Sequence, residues 1–353
     1  MWQLQYLLAG MAGCRYLHQA PDHGIIAAMS DRPPHPARPA RFDGRRFHNQ
    51  RGAARRFGAF VRWMLTRKRG VWQRDMTAEP GPPPPHRVDG DALRVTFVNH
   101  ATVLIQTGAV NILTDPIWSE RASPLPFAGP RRYRPPGICF DDLPAIDLVL
   151  LSHDHYDHMD IPTLKRLQQR DHPLIVAGLR QHEVLARHGL AHVQELDWWD
   201  GLKTDAGLCI TGVPARHWTG RALFDQGRRL WLGFVLHTAS GPVYFSGDTG
   251  MGPHFEQIHR HFGPPRLAIL PIGAWLPRWF MSPVHISPEE AVQAHLQMQA
   301  RMSMAVHFGT FDLADDGQYD APEALGQARS KHNISDDAFW LPKFGEGRDI
   351  PGR

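Results

Sequence analysis

Short apolar runs separated by turns dominate the chain from Leu93 onward. LRVTFVNHATVLIQTG and the following VNILTDP are rich in β-branched residues and predict a hairpin of two strands. Further strands are predicted at IDLVLL, LCITGVPARHW, LWLGFVLHT, PVYFSGDTG, LAILPIG and MSMAVHFGTF. Each apolar run leads into a polar loop, so the pattern places the polar side chains of this region at strand ends.

Two stretches, IPTLKRLQQR and SPEEAVQAHLQMQAR, have helical spacing instead of alternation. The second opens with Ser287 and Pro288 followed by Glu289 and Glu290, which is the composition of a capped helix start. Strands mixed with helices predict an α/β sandwich for residues 88–353.

The N-terminal part of the chain has a different pattern. Residues 30–52 are rich in Pro, Arg and Gly, and we expect them to follow the surface without regular structure. ARRFGAFVRWMLTRKRG then predicts an amphipathic helix. Its hydrophobic stripe consists of Phe57, Phe60, Val61, Met64 and Leu65. EPGPPPPH ends this helix and indicates a linker, so we divide the chain into an arm, residues 1–87, and a body, residues 88–353.

Charge separates the same two parts. Residues 1–87 hold fifteen Lys/Arg against five Asp/Glu, a net charge of +10, and the remainder therefore carries −6. Six cations surround the hydrophobic stripe: Arg55, Arg56, Arg62, Arg67, Lys68 and Arg69. A basic arm on an acidic body predicts an anionic partner, such as a membrane surface or nucleic acid. No apolar run in the chain approaches the length of a spanning helix.

The opening MWQLQYLLAGMAGC is similar to a short signal sequence that ends in a lipobox, with Cys14 as the lipidated residue. It lacks a basic start, and a true start at Met29 is the alternative. We expect a cytoplasmic or peripheral membrane protein, with a lipid-anchored envelope protein as the alternative. The cysteines are odd in number and scattered, at Cys14, Cys139 and Cys209, which argues against a disulfide framework and a thiolate metal site.

Candidate chemistry is concentrated in LLSHDHYDHMD, residues 150–160. His153 and His155 alternate by two, so both imidazoles point to one side of an extended chain, while Asp157 and His158 follow a turn. Nitrogen and oxygen ligands of this kind suit zinc, with iron or manganese as alternatives. A polar loop with helix-capping aspartates is the structural alternative.

Three more residues of ligand type each follow a predicted strand: His217, Asp248 and His307. Any one of them alone is more often structural than ligating. Together with His153, His155, Asp157 and His158 they supply the seven ligands of a two-metal site.

These motifs resemble the metallo-β-lactamase fold, and within it the N-acylphosphatidylethanolamine-hydrolysing phospholipase D family. The resemblance runs from about Val95 to Glu346. It rests on HATVLI, LTDPIWSERASP, GPRRYR, LPAIDLVLLSHDHYDH, ELDWW, GDTG, PIGAWLPRWFM, HISPEEAV and MAVHFGTF. DGRRFHNQ and RWMLTRK extend the likeness into the arm. The resemblance implies a four-layer αββα sandwich, with a binuclear metal site at one edge of a catalytic domain over residues 88–353.

The resemblance also implies a role for each ligand position. One metal is expected to be held by His153, His155 and His217, and the other by Asp157, His158 and His307. Asp248 would bridge both. Two dications ~3.5–4 Å apart lower the pKa of a bridging water and stabilise the charge that develops on a phosphodiester.

Residues around the ligands are expected to assist them. His285 matches a histidine that lies near the bound phosphate in this family, so Asp157, Asp248 and His285 form the expected catalytic set. A surface histidine before a helix is the alternative for His285. We expect His100 and Asp115 to orient ligands. The family usually has Gly before the first of these, where this chain has Asn99.

The leading hypothesis is a phosphodiesterase with two Zn²⁺ ions that hydrolyses N-acylphosphatidylethanolamine to N-acylethanolamine and phosphatidic acid. The alternative enzyme is a lactonase, or a phosphodiesterase for a small or sugar-phosphate substrate. A non-catalytic lipid- or metal-binding protein is the third hypothesis. We expect a phospholipid substrate and peripheral contact with an anionic membrane, and no nucleic acid, because the body shows no basic patch. Both a monomer and a homodimer remain open.

Overall fold

The computed structural model describes residues 39–50, 57–73, 77, 79–222 and 224–352. The strands are β1 (Arg41–Phe42), β2 (Phe47–His48), β3 (Leu93–Asn99), β4 (Thr102–Thr107), β5 (Val110–Thr114), β6 (Leu148–Leu151), β7 (Leu174–Gly178), β8 (Val193–Leu196), β9 (Gly201–Lys203), β10 (Cys209–Val213), β11 (Gly233–Thr238), β12 (Gly241–Phe245), β13 (Leu267–Pro271), β14 (Ser303–Val306), β15 (Phe339–Trp340) and β16 (Gly347–Asp349). The helices are α1 (Phe57–Thr66), α2 (Ile161–Asp171), α3 (His182–Ala186), α4 (His254–Phe262), α5 (Arg278–Met281), α6 (Pro288–Met298) and α7 (Asp320–His332). None of these helices is long and apolar enough to cross a bilayer.

Two seven-stranded sheets form the body. Sheet I has the order β16-β3-β4-β5-β6-β7-β8, and sheet II has the order β15-β14-β13-β12-β11-β10-β9. Each sheet is antiparallel on one side and parallel on the other, with β5 to β8 parallel in sheet I and β12 to β15 parallel in sheet II. Parallel strands end at the same edge, so their following loops gather there.

Alternation along β6 shows how the layers form. Leu148 and Leu150 belong to the core shared with sheet II, while Val149 and Leu151 pack with α2 and α3. Both faces of this strand are buried, which explains its continuous apolar sequence. Helices α6 and α7 pack on each other, and their apolar side chains join the core of sheet II. The predicted four-layer αββα sandwich is confirmed.

The predicted two-strand hairpin near the start of the body is wrong, because three strands, β3, β4 and β5, form a meander there. The first turn is made by His100 with φ +47° and Ala101. No glycine or proline marks this turn, so the apolar pattern continues through it. By contrast α6 has the predicted start, with a capping box between Ser287 and Glu290.

Part of the arm has regular structure where we expected none. β1 and β2 pair as a small antiparallel hairpin, and the side chain of Asp43 accepts hydrogen bonds from the backbone of Arg45 and Arg46 in its turn. An aspartate that bonds the backbone two residues on stabilises such turns. Cys14, Arg55, Arg56 and the proposed start at Met29 lie outside the described residues.

Helix α1 forms where the sequence predicted it, but its hydrophobic stripe is divided. Trp63 is buried, with Phe60 and Met64 half-buried beside it, while Val61 is 39% and Leu65 82% exposed. The indole of Trp63 stacks on Phe280 of α5, with ring centroids 4.8 Å apart. One face of the helix therefore packs on the body, and the neighbouring face remains in solvent.

Candidate metal centre

The candidate ligands lie where strands of both sheets end. His153 follows β6 by two residues, and in sheet II Asp248 follows β12 and His307 follows β14. The two sheets approach closely at this edge: a Cβ at Gly247 would lie 2.4 Å from the Cβ of Ser152. A glycine is needed there because any side chain would push the two strand ends apart.

Three buried imidazoles form a first group. Nε2 of His153 and Nε2 of His217 lie 2.8 Å and 3.3 Å from Nδ1 of His155. The nitrogens of all three fall within 4.8 Å of one another. His217 is brought to the other two from an irregular segment 62 residues further along the chain.

The outer nitrogens of two of these rings already have partners. Nδ1 of His217 lies 2.9 Å from the carbonyl oxygen of Val284, which can only accept, so this nitrogen carries the proton. Nδ1 of His153 lies 2.9 Å from the hydroxyl of Ser152, and that hydroxyl is 2.5 Å from Asp115 Oδ2, to which it donates. Both Nε2 atoms therefore present lone pairs to the centre of the group, which is the arrangement a cation requires.

A second group comprises Asp157, His158 and His307, with His100 beside them. Nε2 of His158 lies 3.3 Å from Oδ2 of Asp157, and Nε2 of His307 lies 3.5 Å from the same oxygen. Nε2 of His100 donates to the same oxygen at 2.8 Å. All four side chains are buried.

Asp248 lies between the two groups. Its Oδ2 is 3.2 Å from Nε2 of His307, 3.3 Å from Nε2 of His158 and 3.8 Å from Nε2 of His217. Nε2 of His153 is 4.0 Å away. One carboxylate oxygen thus faces imidazoles of both groups, which is the position of a bridging ligand.

The pKa values show how charge is distributed in this site. Burial, together with the neighbouring imidazoles, holds the pKa values of His153 and His155 well below the usual value. Burial opposes protonation of His307 too, but the carboxylates of Asp248 and Asp157 raise its pKa to about 9. The same two carboxylates and Asp115 hold the pKa of His158 well above its usual value against burial. His153 and His155 are therefore held neutral, whereas His158 and His307 gather positive charge beside the carboxylates of Asp157 and Asp248.

The side chains present fit divalent metal ions. Oδ1 of Asp157 and Oδ1 of Asp248 are buried without a hydrogen-bond partner among the described residues. Buried polar atoms of this kind are rare unless something else satisfies them. Imidazole and carboxylate donors without a thiolate are the ligands of hydrolytic zinc sites and also suit iron and manganese.

His285 borders the centre without being enclosed by it. Its Nδ1 lies 3.8 Å from Asp248 Oδ2, its ring is 5.1 Å from that of His217, and its side chain is 12% exposed. It faces a cleft and does not end a strand. The nitrogens and oxygen of His217, Asp248 and His285 also fall within 4.8 Å, so a ligand role is the alternative to a role at the substrate.

The cleft above the centre has mostly apolar walls. On one side the walls come from the arm, through Phe60 and Trp63 of α1, and from Phe280 and Met281 of α5. The aromatic run PRWFM thus reaches the cleft through Phe280 and Met281. In ELDWW both tryptophans are in the core, where Trp198 donates to the carbonyl of Trp231.

Comparisons with known proteins agree with this geometry. Residues 110–308 match the model of the beta-lactamase superfamily domain. The chain is 36% identical over 283 residues to N-acyl-phosphatidylethanolamine-hydrolyzing phospholipase D 1 of Caenorhabditis elegans, covering 74% of this chain and 79% of that protein. The mitochondrial enzyme of the same name from Saccharomyces cerevisiae is 35% identical over 67% of this chain and 52% of its own length. The chain belongs to this phospholipase D family of the beta-lactamase superfamily.

Solved structures with a similar fold have low sequence identity. Igni18, a metallo hydrolase from Ignicoccus hospitalis, superposes with a TM-score of 0.57 at 19% identity and covers 74% of this chain and 100% of its own. The isothiocyanate hydrolase from Delia radicum gut bacteria gives a TM-score of 0.59 at 21% identity, covering 72% of this chain and 98% of its own. These likenesses support the fold. The fold and the relatives together show that the protein is a metal-dependent hydrolase.

The departure from the phospholipase D family pattern at Asn99 has a local explanation. Its side chain is buried, donates to the carbonyl of Ile117 at 3.2 Å and accepts from Arg132 at 3.1 Å. The left-handed backbone of this turn lies at the next residue, His100. Asn99 therefore needs no glycine-like conformation, and its amide satisfies a buried arginine.

Two residues that support the candidate ligands, Ser152 and Asp154, were not predicted from the sequence. Ser152 links His153 to Asp115, and only its position directly before His153 could have signalled it. Asp154 forms a buried ion pair with Arg229 and accepts from the backbone of Gly220, which fixes the segment that carries His217. Its position inside the histidine motif was the available signal.

Asp115 contacts one candidate ligand, His158, directly and a second, His153, through Ser152. Its Oδ1 accepts from the backbone of Ser152 at 2.7 Å, and its Oδ2 accepts from Nδ1 of His158 at 2.7 Å as well as from the Ser152 hydroxyl. Its backbone has φ +36°, an uncommon conformation that the surrounding structure maintains. His100 and Asp115 thus both contact expected ligands.

We expect Asp115→Asn to weaken metal binding by ~10–100-fold, the usual effect of losing a residue that orients ligands. An amide NH₂ would face the N–H of Ser152 or His158, so a donor would meet a donor. Competition with a chelator measures the affinity. Asp171→Asn, at a carboxylate that accepts from Ile146 far from the centre, is the matched control. Equal metal affinity in the Asp115 variant and the wild type would contradict the orienting role.

Proposed function

We propose that this hydrolase is a zinc-dependent phosphodiesterase of phospholipase D type that acts on N-acylphosphatidylethanolamine. The observation that carries the proposal is a two-group centre around Asp248, opening into a cleft with apolar walls. The relatives from nematode and yeast are named for this activity. Iron or manganese is the alternative metal, because both accept the same donors.

The proposed reaction hydrolyses the bond between phosphorus and the ethanolamine oxygen. Two divalent ions held by the seven residues would supply a water of low pKa and neutralise the phosphodiester. The water oxygen bonds to phosphorus as the bond to the ethanolamine oxygen breaks, one proton leaves the water, and the leaving oxygen takes up a proton. His285 faces the cleft next to Asp248 and is placed to donate that proton.

The cleft walls favour a lipid over a small polar substrate. Burying hydrocarbon against Phe60, Trp63 and Phe280 gives ~25 cal/mol per Å² of apolar area, which a lactone ring or sugar phosphate could use only in part. Purified protein should be assayed in parallel on N-acylphosphatidylethanolamine, a long-chain lactone and a soluble phosphodiester. The proposal expects the lipid to have the highest kcat/KM. A higher kcat/KM for the lactone would contradict the proposal and favour the lactonase alternative.

The substrate of this proposed reaction resides in a bilayer, and α1 offers a surface for it. Val61 and Leu65 are exposed on the helix whose other face lines the cleft. Trp279 is 45% exposed, and the Arg62 guanidinium lies 4.7 Å from the centroid of its ring. We define these four residues as the docking face. Apolar side chains flanked by arginine match an anionic membrane surface.

Other cations of the arm are engaged elsewhere. The side chain of Arg67 is 7% exposed and pairs with Asp315 at 3.1 Å. Asp315 also accepts a hydrogen bond from the indole of Trp63. These contacts fix α1 to the segment after His307. Arg62 of the docking face and Lys68 remain exposed. Membrane attraction should therefore come from fewer charges than the sequence contains.

We expect Leu65→Ser to lower partition onto anionic vesicles roughly tenfold, because one exposed leucine then no longer enters the bilayer. Leu296→Ser, at a 44% exposed leucine of α6, is the control and should partition as the wild type does. Co-sedimentation at rising salt provides the second measure, since attraction to anionic lipid weakens as salt screens it. Binding unchanged by Leu65→Ser and by salt would contradict docking through this face.

A further inference from the structure

His217 lies on a segment without strand or helix partners. Between β10 and β11 the described residues form turns and irregular chain. His217 is nevertheless buried, and a buried backbone must find hydrogen-bond partners outside a regular ladder. The position of its imidazole depends on whichever groups supply those partners.

The partner is the side chain of Asn49, 168 residues earlier. Nδ2 of Asn49 donates to the carbonyl oxygen of His217 at 2.9 Å, and the N–H of His217 donates to Oδ1 of Asn49 at 3.1 Å. The amide group therefore exchanges two hydrogen bonds with one residue, as two residues of an antiparallel sheet do. Only a group with a donor and an acceptor side by side can do this, and among the short side chains that is asparagine.

Asn49 is itself held in place by the segment that contains it, residues 39–50, which we call the strap. The N–H of Phe47 donates to the carbonyl of Gly227 at 2.7 Å, and the ring of Phe47 is buried in the main core. The N–H of Ala40 donates to Asp197 at 3.0 Å. The strap thus contacts the irregular segment at His217 and again at Gly227.

We infer that Asn49 is a positioning residue for the metal centre, acting through His217. The inference rests on the proposed role of His217 as a ligand. Two hydrogen bonds exchanged with Asn49 then hold the backbone of this ligand, and its Nδ1–H donates to the carbonyl of Val284. Without the first two, His217 must be ordered when the metal binds, and that ordering reduces affinity. The strap lies outside residues 110–308, so the metal centre includes a part of the chain beyond the superfamily domain.

We expect Asn49→Ala to weaken one metal equivalent by ~10–100-fold, the usual scale for residues that support a ligand. The other equivalent should keep wild-type affinity, because Asn49 bonds to His217 and the second group is held by Asp115 and His100. Chelator competition with zinc resolves the two equivalents. The visible spectrum of cobalt-loaded protein reports the ligand geometry independently of activity.

Matched variants distinguish a positioning role of Asn49 from a general loss of structure around the metal centre. Gln50→Ala changes the exposed neighbour of Asn49 and should bind both equivalents as the wild type does. Asn49→Asp keeps an acceptor for the His217 N–H but cannot donate to the carbonyl, so it should lose affinity as Asn49→Ala does. In a His217→Ala background, Asn49→Ala should have no further effect on metal affinity, because the residue it positions is gone.

Wild-type affinity for both equivalents in Asn49→Ala would overturn the inference. A parallel loss of both equivalents, or an additive loss in the double variant, would also overturn it, since either result indicates a structural role alone. If His217→Ala itself keeps both equivalents, the ligand assignment of the proposed function is what fails.

Discussion

Asp248→Asn should lower turnover by at least ~10³-fold, about 4 kcal/mol in activation free energy, while the chain keeps its fold. Oδ2 of Asp248 lies within 4.0 Å of imidazoles from both groups, so its charge acts on both metal positions. A neutral amide of the same shape cannot hold two like charges together equally well. The assay measures kcat on the lipid, with circular dichroism as the check on folding.

The control for this variant is Asp349→Asn, the same substitution at a side chain that is 81% exposed. It should have wild-type turnover. Metal analysis of the Asp248 variant should show less than the wild-type content. Wild-type turnover in Asp248→Asn would mean that Asp248 does not bridge.

His285→Ala should lower kcat by ~10²-fold or more with unchanged metal content, because a proton donor at the leaving oxygen contributes on that scale. The side chain is open to the cleft and 3.8 Å from Asp248, close enough to act beside the metals. His332→Ala, at a surface histidine that pairs with Glu289, is the control. The readouts are kcat, KM and metal equivalents per chain.

Metal content decides between the two roles of His285. The possible ligand atoms of His217, Asp248 and His285 lie within 4.8 Å of one another, so distance alone allows His285 to be a ligand. A variant that loses one equivalent would assign His285 to the metals. A variant with full metal and full activity would assign it a structural role only.

Three of the candidate ligands could be placed from sequence because each follows a strand. His153 follows β6, Asp248 follows β12 and His307 follows β14, so local apolar pattern was enough to place them at one edge. The hydrogen bonds around these residues were harder to predict. Asp115 contacts Ser152 and His158 across 37 and 43 residues, and only the resemblance pointed to Asp115.

The strap and the division of α1 could not be predicted, because they depend on contacts distant in sequence. Asn49 pairs with a residue 168 positions away. Trp63 was not part of the predicted stripe, yet its stacking on Phe280 and its hydrogen bond to Asp315 determine which face of α1 is buried. Local periodicity identifies an amphipathic helix but not the partner of each face.

These contacts change how the arm should be tested. Deleting residues 1–75 would remove Asn49, Phe60 and Trp63, and with them a support of His217 and one wall of the cleft. Loss of turnover after that deletion would not report membrane docking. Point variants on the docking face are the appropriate test, because they leave the strap and the buried side of α1 intact.

The most direct measurement is hydrolysis of N-acylphosphatidylethanolamine by metal-loaded protein in ¹⁸O-water, with mass analysis of the products. Attack at phosphorus predicts unlabelled N-acylethanolamine and phosphatidic acid that carries one ¹⁸O, and no product after chelation. Free fatty acid labelled with ¹⁸O would mean attack at a carbonyl. That result, or turnover indifferent to chelators, would contradict a metal-dependent phosphodiesterase.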